Sequence, residues 1–449
     1  MWRKEPQILS DYGYGGRKAF GVPERMGRIL CEYYSDFFVK GIGIEDEERR
    51  VFRDSIHGYI HVDHWIIWKL INCEQMQRLR RIKQLGGTFQ VFPTAEHSRF
   101  THSLGVYEIV RKLLDTDCLK NSLSDYDKLC AMIAGLLHDI GHGPFSHSFE
   151  HVFHTNHEAM TIAMLLEDSD VHRILYSFYE ELPQDIASII NKTHKNPILI
   201  QMVSSQLDAD RMDYLLRDSY MTGTTYGHFD LSRILRTMRL YNGKIVFKQS
   251  GVQAIENYIL ARYHMYWQVY LHPTSRSFEQ ILGSIFSRLK DLYKVGYAFK
   301  CDMKYLLPFL KNCFSISDYS CLDEAIIEYY FREFMNEDDE ILSDLCYRFL
   351  NRKLFKFKEL KDEGEFKQIQ SIALNYGFDP KYYVLFDLHT QIPYHYYGMS
   401  GELNEIEILT DEGLLPLPKV SEIVHAIVQS KKYKEDHKVF FPKELKNEL

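Results

Sequence analysis

From Ala131 to Leu137 every position is apolar or glycine, and the run ends in His138-Asp139-Ile140-Gly141-His142-Gly143-Pro144-Phe145-Ser146-His147. Unbroken apolarity predicts a helix buried on all sides, here at about 125–142. On it His138 and His142, four apart, share a face. Pro144 cannot continue a helix, so Gly143-Pro144 re-aims the chain and delivers Ser146 and His147 from a turn. A lone buried histidine is more often a hydrogen-bonded core residue than a ligand. Three histidines and an aspartate in ten positions make a poor core and a good site.

The flanking pattern is mainly helical. Residues 51–60 read as an extended segment turning at His57-Gly58. A helical period then runs from His64 through Leu85 on Ile67, Leu70, Ile71, Met76, Leu79, Ile82 and Leu85, and Gly86-Gly87 ends it. Its other face carries Gln77, Arg78, Arg80, Arg81, Lys83 and Gln84. After a loop at 92–100, a helix opens at Thr101 with His102 turned inward beside Val106, Ile109 and Val110. His147, Glu150, His151 and His154 recur at helical spacing, and His157 starts a further helix. In the 207–218 stretch Asp210, Asp213, Tyr214 and Arg217 fall on one helical face. Three carboxylates so close together, at 208, 210 and 213, require at least one to point inward at a partner charge. Asn242-Gly243 predicts a hairpin turn within 239–248. A long helix from about 251 to 271 carries Arg262, Tyr266 and Tyr270, and another spans 276–294. Beyond 300 the texture changes, with helices expected at 302–311, 321–335, 338–350 and 363–376 and strands at 382–386 and 405–409. Glycine and proline mark the N-terminal stretch as an irregular arm, with a helix at about 23–39. The expected division is an arm at 1–45, a core at 46–300 and a smaller α+β lobe at 301–449.

Composition narrows the class. The 449 residues suffice for two or three domains. No run of 18 apolar residues occurs, so no membrane partner is expected. A net charge of −8 argues against a nucleic-acid-binding surface, while leaving room for a local basic pocket. The eight cysteines form no CxxC pair and read as free thiols of a reducing compartment. Met1-Trp2-Arg3-Lys4-Glu5 has no apolar stretch behind its charges, so the expected location is cytoplasmic.

The chemistry-bearing residues assemble into one site. His102, His138, Asp139 and Asp210 make a mixed nitrogen and oxygen shell, which suits Mn, Fe, Co, Ni or Zn better than Ca or a lone Mg. A bound metal lowers the pKa of its water towards ~7. His147, Glu150 and His157 supply proton transfer near neutral pH. Arg99, Arg211 and Arg262 supply phosphate clamps. Together they point to hydrolysis of a phosphoester or phosphoanhydride.

In this order the residues resemble the HD-domain phosphohydrolases, and over about 50–275 the deoxynucleoside triphosphate triphosphohydrolases. The matching segments are RDSIHG, QRLRRIKQLGG, SRFTHSLG, AGLLHDIGHGPFSH, the His157-Glu158 pair, DADRMDYLLRD and ARYHMYWQVYLH. The resemblance implies a mainly α fold: an all-helical HD-domain core with a smaller α+β C-terminal lobe. It implies that His102, His138, Asp139 and Asp210 hold one divalent transition metal, with Mg accompanying the nucleotide triphosphate. His147 is implied as the acid for the leaving 5′-oxygen, with Glu150, where vertebrate members have Asp, and His157 as catalytic partners. Arg99, His142, Arg211, Tyr214 and Arg262 fall on phosphate-contacting positions, Arg211 replacing a Lys. Gln84, Leu85, Asp218 and Tyr270 fall on sugar-contacting positions. The implied reaction takes a dNTP and water to deoxynucleoside and inorganic triphosphate. The resemblance also implies a homotetramer activated by a dNTP, with Arg50, Val51, Asn72, Gln77 and Arg80 at the activator pocket. Asn72 stands where vertebrate members read guanine with Asp, and an amide that both donates and accepts implies looser base choice. The alternatives are another HD-domain nucleotide phosphohydrolase and a nucleotide-sensing binding protein.

Overall fold

Helix Asp125–Leu137 lies at the centre of the fold. Ser124 caps its start by accepting from the Asp127 N–H, and every side chain from Leu129 to Leu137 is buried. Burial of each of its large aliphatic side chains contributes roughly 1.5–3 kcal/mol. Helices Arg99–Leu114, Leu182–Ile190 and Pro197–Val203 pack around it. The computed structural model describes residues 50–391, 405–429 and 434–448. The arm expected at 1–45 and its helix lie outside the described residues.

The central helix stops at Leu137, before the expected 142. Thr161, on helix His157–Leu166, takes the backbone groups that continuation would need. The Gly141 N–H donates to Thr161 Oγ1 at 3.0 Å, and that hydroxyl donates to the His138 carbonyl at 3.2 Å. His142 therefore follows in a turn and does not share a helix with His138. The single helix expected from His64 to Leu85 is also broken. Helix Trp65–Ile71 ends at Asn72, whose amide donates back to the Trp68 carbonyl at 2.7 Å. Helix Glu74–Arg78 and a 3-10 turn Leu79–Arg81 follow, and Gly86 opens a second 3-10 turn, Gly86–Gln90, where a helix end was expected. The breaks keep Ile67, Leu70, Met76, Leu79 and Ile82 fully buried while the chain changes direction.

Helices dominate, with three small sheets among the described residues. Strand β1 (Arg50–Asp54) pairs antiparallel with β2 (Gly58–Val62) through the expected turn at His57-Gly58. Strands β3 (Met238–Tyr241) and β4 (Lys244–Lys248) form the expected hairpin, with Asn242 and Gly243 both at positive φ. Strand β5 is Lys356–Glu359 and β6 is Leu385–Gln391. The latter starts later than expected because Asp379-Pro380 first nucleates the short helix Pro380–Tyr383. Strands β7 (Glu407–Thr410) and β8 (Gly413–Pro416) extend the β3–β4 hairpin, β7 pairing parallel to β4. Strand β9 (Lys434–Phe441) lies between β5 and β6.

A hydrophobic core runs from Ile60 to Phe440, a smaller cluster gathers Ile369, Ala373, Val384, Val439, Phe441 and Leu445, and the chain from Arg50 onward packs as one unit. The cysteines among the described residues are unpaired. Among the described residues no helix is long and apolar enough to cross a membrane.

Candidate active site

His102 lies in the first turn of helix Arg99–Leu114, His138 caps the end of the central helix, and Asp210 lies in the first turn of helix Ala209–Thr222. His102 Nε2 is 3.1 Å from Asp210 Oδ1 and 3.9 Å from Asp139 Oδ2. His138 Nε2 is 3.4 Å from Asp139 Oδ1 and 3.6 Å from Asp210 Oδ1. The second nitrogen of each ring is engaged elsewhere: His102 Nδ1–H donates to Asp213 at 2.8 Å and His138 Nδ1–H to the Gly135 carbonyl at 2.9 Å. That leaves Nε2 of each ring as the nitrogen turned to the carboxylates, the atom a metal would take. His138 Nε2 is buried and makes no hydrogen bond. His102, His138 and Asp210 offer donor atoms within 4.8 Å of one another. An orphaned imidazole nitrogen among converging nitrogen and oxygen donors fits a divalent transition metal.

The electrostatics agree. Burial alone would lower His102, but the carboxylates of Asp210 and Asp213 reverse that and hold it up at about 10. Burial likewise opposes a charged His138, and Asp139 and Asp210 raise it. Burial opposes ionised Asp139 and Asp210 too, yet the neighbouring imidazoles, with Arg99 at Asp139, hold both below the usual carboxylate range. A cation taking the place of these protons would release them on binding.

His142, Glu150 and His157 form a second group against the first. His142 Nε2 is 3.4 Å from Asp139 Oδ1, while its Nδ1 is 3.6 Å from Glu150. The His142 and His157 rings stack at 3.9 Å, and His157 Nδ1 lies 3.1 Å from Glu150. Close passage of the chain at Gly141 permits this: a Cβ there would stand 2.2 Å from the His157 carbonyl. The turn before His147 is strained, with Phe145 at φ 55° and Ser146 at φ 44°, as is common where backbone is held for function. His147 opens helix His147–Phe153; its side chain lies outside the described residues. His151 and His154, expected on the same stripe, are exposed.

Of the residues expected to contact phosphate, Arg99 reaches the donor group itself. Arg99 donates to Asp139 at 2.5 Å and to Ser146 Oγ at 2.9 Å. Arg211 pairs with Asp208, a buried carboxylate that also caps the helix. Arg262 is buried and its Nε has no hydrogen-bond partner. Burial raises the Tyr214 hydroxyl, and the charges of Arg262 and Arg211 oppose that rise. The Tyr214 and Tyr270 rings meet edge to face at 6.2 Å. Tyr270 lies in a π-helical turn, Tyr266–Tyr270, that ends the expected 251–271 helix at Met265. Its hydroxyl donates to Asp218 at 2.8 Å. Gln84 and Leu85 are half-buried, Gln84 donating its backbone N–H to the His97 carbonyl at 2.9 Å.

Three participants escaped the sequence reading. His97 Nε2 meets Asp218 at 2.8 Å, and His57 Nε2 meets Asp213 at 2.7 Å. Arg78, assigned to the polar face, is fully buried and donates to the carbonyls of His142 at 2.8 Å and Leu322 at 2.7 Å. The only available signal was a polar residue inside a dense motif.

Of the residues expected at the activator pocket, Arg50 and Arg80 each lie over an aromatic ring. The Arg50 guanidinium covers Trp68 at 4.8 Å, and that of Arg80 covers Phe100 at 3.6 Å. Phe52 touches both Trp68 and Phe100. Arg80 Nε donates to Gln77 at 3.0 Å; Val51 and Asn72 are exposed.

The HD-domain model matches residues 99–218 and the HD-associated-region model residues 229–300. The uncharacterized protein YwfO of Bacillus subtilis is 47% identical, over 89% of this chain and 93% of its own length. The deoxynucleoside triphosphate triphosphohydrolase SAMHD1 homolog of Dictyostelium discoideum is 32% identical, over 55% of this chain and 51% of its own. A phosphohydrolase crystal structure from Bacteroides thetaiotaomicron has a TM-score of 0.78 at 27% identity, covering 88% of this chain and 100% of that one. Matched from its metal-type histidines through the associated region, and aligned with a bacterial relative over nearly its whole length, this chain belongs to the HD-domain phosphohydrolase family.

Proposed function

We propose that the protein hydrolyses deoxynucleoside triphosphates to deoxynucleoside and inorganic triphosphate. The observation that carries this reading is the buried Arg262, its Nε without a partner, together with the Arg211–Asp208 pair at the start of the helix that supplies the metal-type Asp210. A buried guanidinium nitrogen without a partner favours an anion. His102, His138, Asp139 and Asp210 would hold one divalent transition ion (Mn, Fe, Co, Ni or Zn), and Mg would accompany the triphosphate. Such an ion, when bound, supplies an activated water near neutral pH and neutralises developing charge. Arg99, His142, Arg211, Tyr214 and Arg262 bind and orient the phosphates. The bond between the α-phosphorus and the 5′-oxygen breaks, the oxygen of water stays on the triphosphate, and His147 gives a proton to the departing 5′-oxygen. Burial opposes a charged His157, and Glu150, 3.1 Å away, raises its pKa and orients the ring.

Sugar choice follows from Tyr270 and Asp218. The tyrosine hydroxyl and the His97 ring already satisfy the Asp218 carboxylate. In the proposed pose, with Gln84 and Leu85 completing the sugar contact, a ribose 2′-hydroxyl gains no hydrogen bond from Asp218. We further infer an activating dNTP at Arg50, Val51, Asn72, Gln77 and Arg80, held between subunits of a cytoplasmic homotetramer. The aromatic and guanidinium surfaces that meet there support it, since both bind nucleotides by stacking and charge. The reading is tested by comparing catalytic efficiency on dATP and ATP with Mn and Mg present. A clear preference for dATP is expected; equal efficiency would contradict it.

A further inference from the structure

Behind the metal-type donors lies a layer of buried hydrogen bonds that leads out to the β1–β2 hairpin. Asp213 is fully buried and both its oxygens are used twice. Oδ2 accepts from His102 Nδ1 at 2.8 Å and Arg217 Nε at 2.9 Å; Oδ1 accepts from His57 Nε2 at 2.7 Å and Arg217 Nη2 at 3.0 Å. Arg217 continues to Asp54 at 2.8 Å, and Asp54 holds the hairpin turn by accepting the backbone N–H groups of Ile56 and His57 at 2.9 Å each. On its outer side His57 Nδ1 lies 3.4 Å from the Lys112 ammonium.

We propose that His57 is a positioning residue for the metal centre, fixing the ring of His102 through Asp213. An ammonium can only donate, so the Lys112 contact leaves the His57 proton on Nε2, directed at Asp213. Asp213, its other oxygen filled by His57 and Arg217, accepts a hydrogen bond from His102 Nδ1–H, so that Nε2 is the nitrogen turned to the donor space. Partners of this kind set the orientation and basicity of a histidine ligand, and their loss typically costs 10–100-fold in metal affinity. The side chain of His57 is 2% exposed and reaches Asp213 across 156 positions of sequence. The hairpin is thereby tied to the site as structurally as the helices are. The space for this is made by Gly105, where a Cβ would stand 1.9 Å from Asp213 Oδ1.

The proposal rests on the reading of His102 as a metal ligand, and the experiment separates the two. Co2+ is titrated into metal-stripped wild type, His57→Ala, His57→Gln and Lys112→Met, recording affinity, the visible spectrum of bound Co2+ and the thermal midpoint. His57→Ala is expected to bind about 10–100-fold more weakly with an altered spectrum. His57→Gln, which restores an N–H donor, is expected to recover most of the affinity. Lys112→Met, on a half-exposed side chain that also pairs with Glu108, is expected to weaken binding less than His57→Ala does. If His57→Ala does not fold, the Gln and Met variants carry the comparison. Variants that lower the midpoint but match wild type in affinity and spectrum would overturn the positioning role alone. Wild type that takes up no Co2+ would overturn the ligand reading and the proposal with it.

Discussion

Single atoms decide much of this site. Gly105 lets helix Ala209–Thr222 approach until Asp213 and Arg217 fill the space a side chain would need. Gly105→Ala is therefore expected to destabilise the protein by about 1–3 kcal/mol or more and to lower its metal content, measured by thermal unfolding with elemental analysis. Glu324 is a second such point. One of its oxygens accepts from the Lys83 N–H at 3.0 Å and the Phe145 N–H at 3.3 Å, bracing the strained turn before His147. Burial pushes its carboxyl up to about 7, with Glu328 adding to the rise and the Lys83 charge and the two N–H groups opposing it. The folded chain thus keeps a proton that the unfolded chain gives up from about 4.5 upward. This contribution is complete below pH 4.5 and is lost as pH rises through about 7. Glu324→Gln, which still accepts both bonds, should flatten the pH dependence of the denaturant midpoint between pH 5 and 8, removing roughly 2–3 kcal/mol of variation at most. A Gln variant with the wild-type slope would assign that dependence elsewhere. At this scale the histidines and aspartates of 138–142 are legible because they interrupt an apolar run. His57 and His97 are not, because each is one polar residue in a loop whose partner lies 156 or 121 positions away.

At the scale of elements, the β1–β2 hairpin and the broken 65–81 segment bring Arg50, Trp68, Gln77 and Arg80 into one surface. If this surface holds an activating nucleotide between subunits, binding there shifts the assembly in proportion to its preference for the oligomer. Arg80→Ala should then convert a sigmoidal rate curve on dNTP into a hyperbolic one with metal content unchanged. Hyperbolic kinetics in wild type, with no change in light scattering on adding dNTP, would leave Arg50 and Arg80 as packing cations on Trp68 and Phe100. Periodicity finds most of the elements but not where they stop. The central helix ends where Thr161 captures its backbone, and the 64–85 pattern breaks at Asn72, both through contacts outside the repeating pattern. The π-helical turn carrying Tyr270 has the same apolar period as the helix before it, so nothing in the pattern announces it.

For the whole molecule, the elements beyond 300 reach back to the site. The Tyr319 hydroxyl donates to the Gly141 carbonyl at 2.8 Å, Asp323 pairs with Arg81, and the buried Arg78 spans the His142 and Leu322 carbonyls. The change in sequence texture near 300 shows none of this, because the bonds run to backbone carbonyls and two arginines. Fold class is legible from helical period and family motifs together; the bracing of the histidine turn from the far end of the chain is legible only in three dimensions. The central claim concerns the bond that breaks, and it is tested most directly by anion chromatography of the phosphate product from each dNTP with Mn present. Inorganic triphosphate in equal amount to deoxynucleoside is the result expected. Orthophosphate or pyrophosphate as the primary product, or intact dNTP throughout, would contradict it.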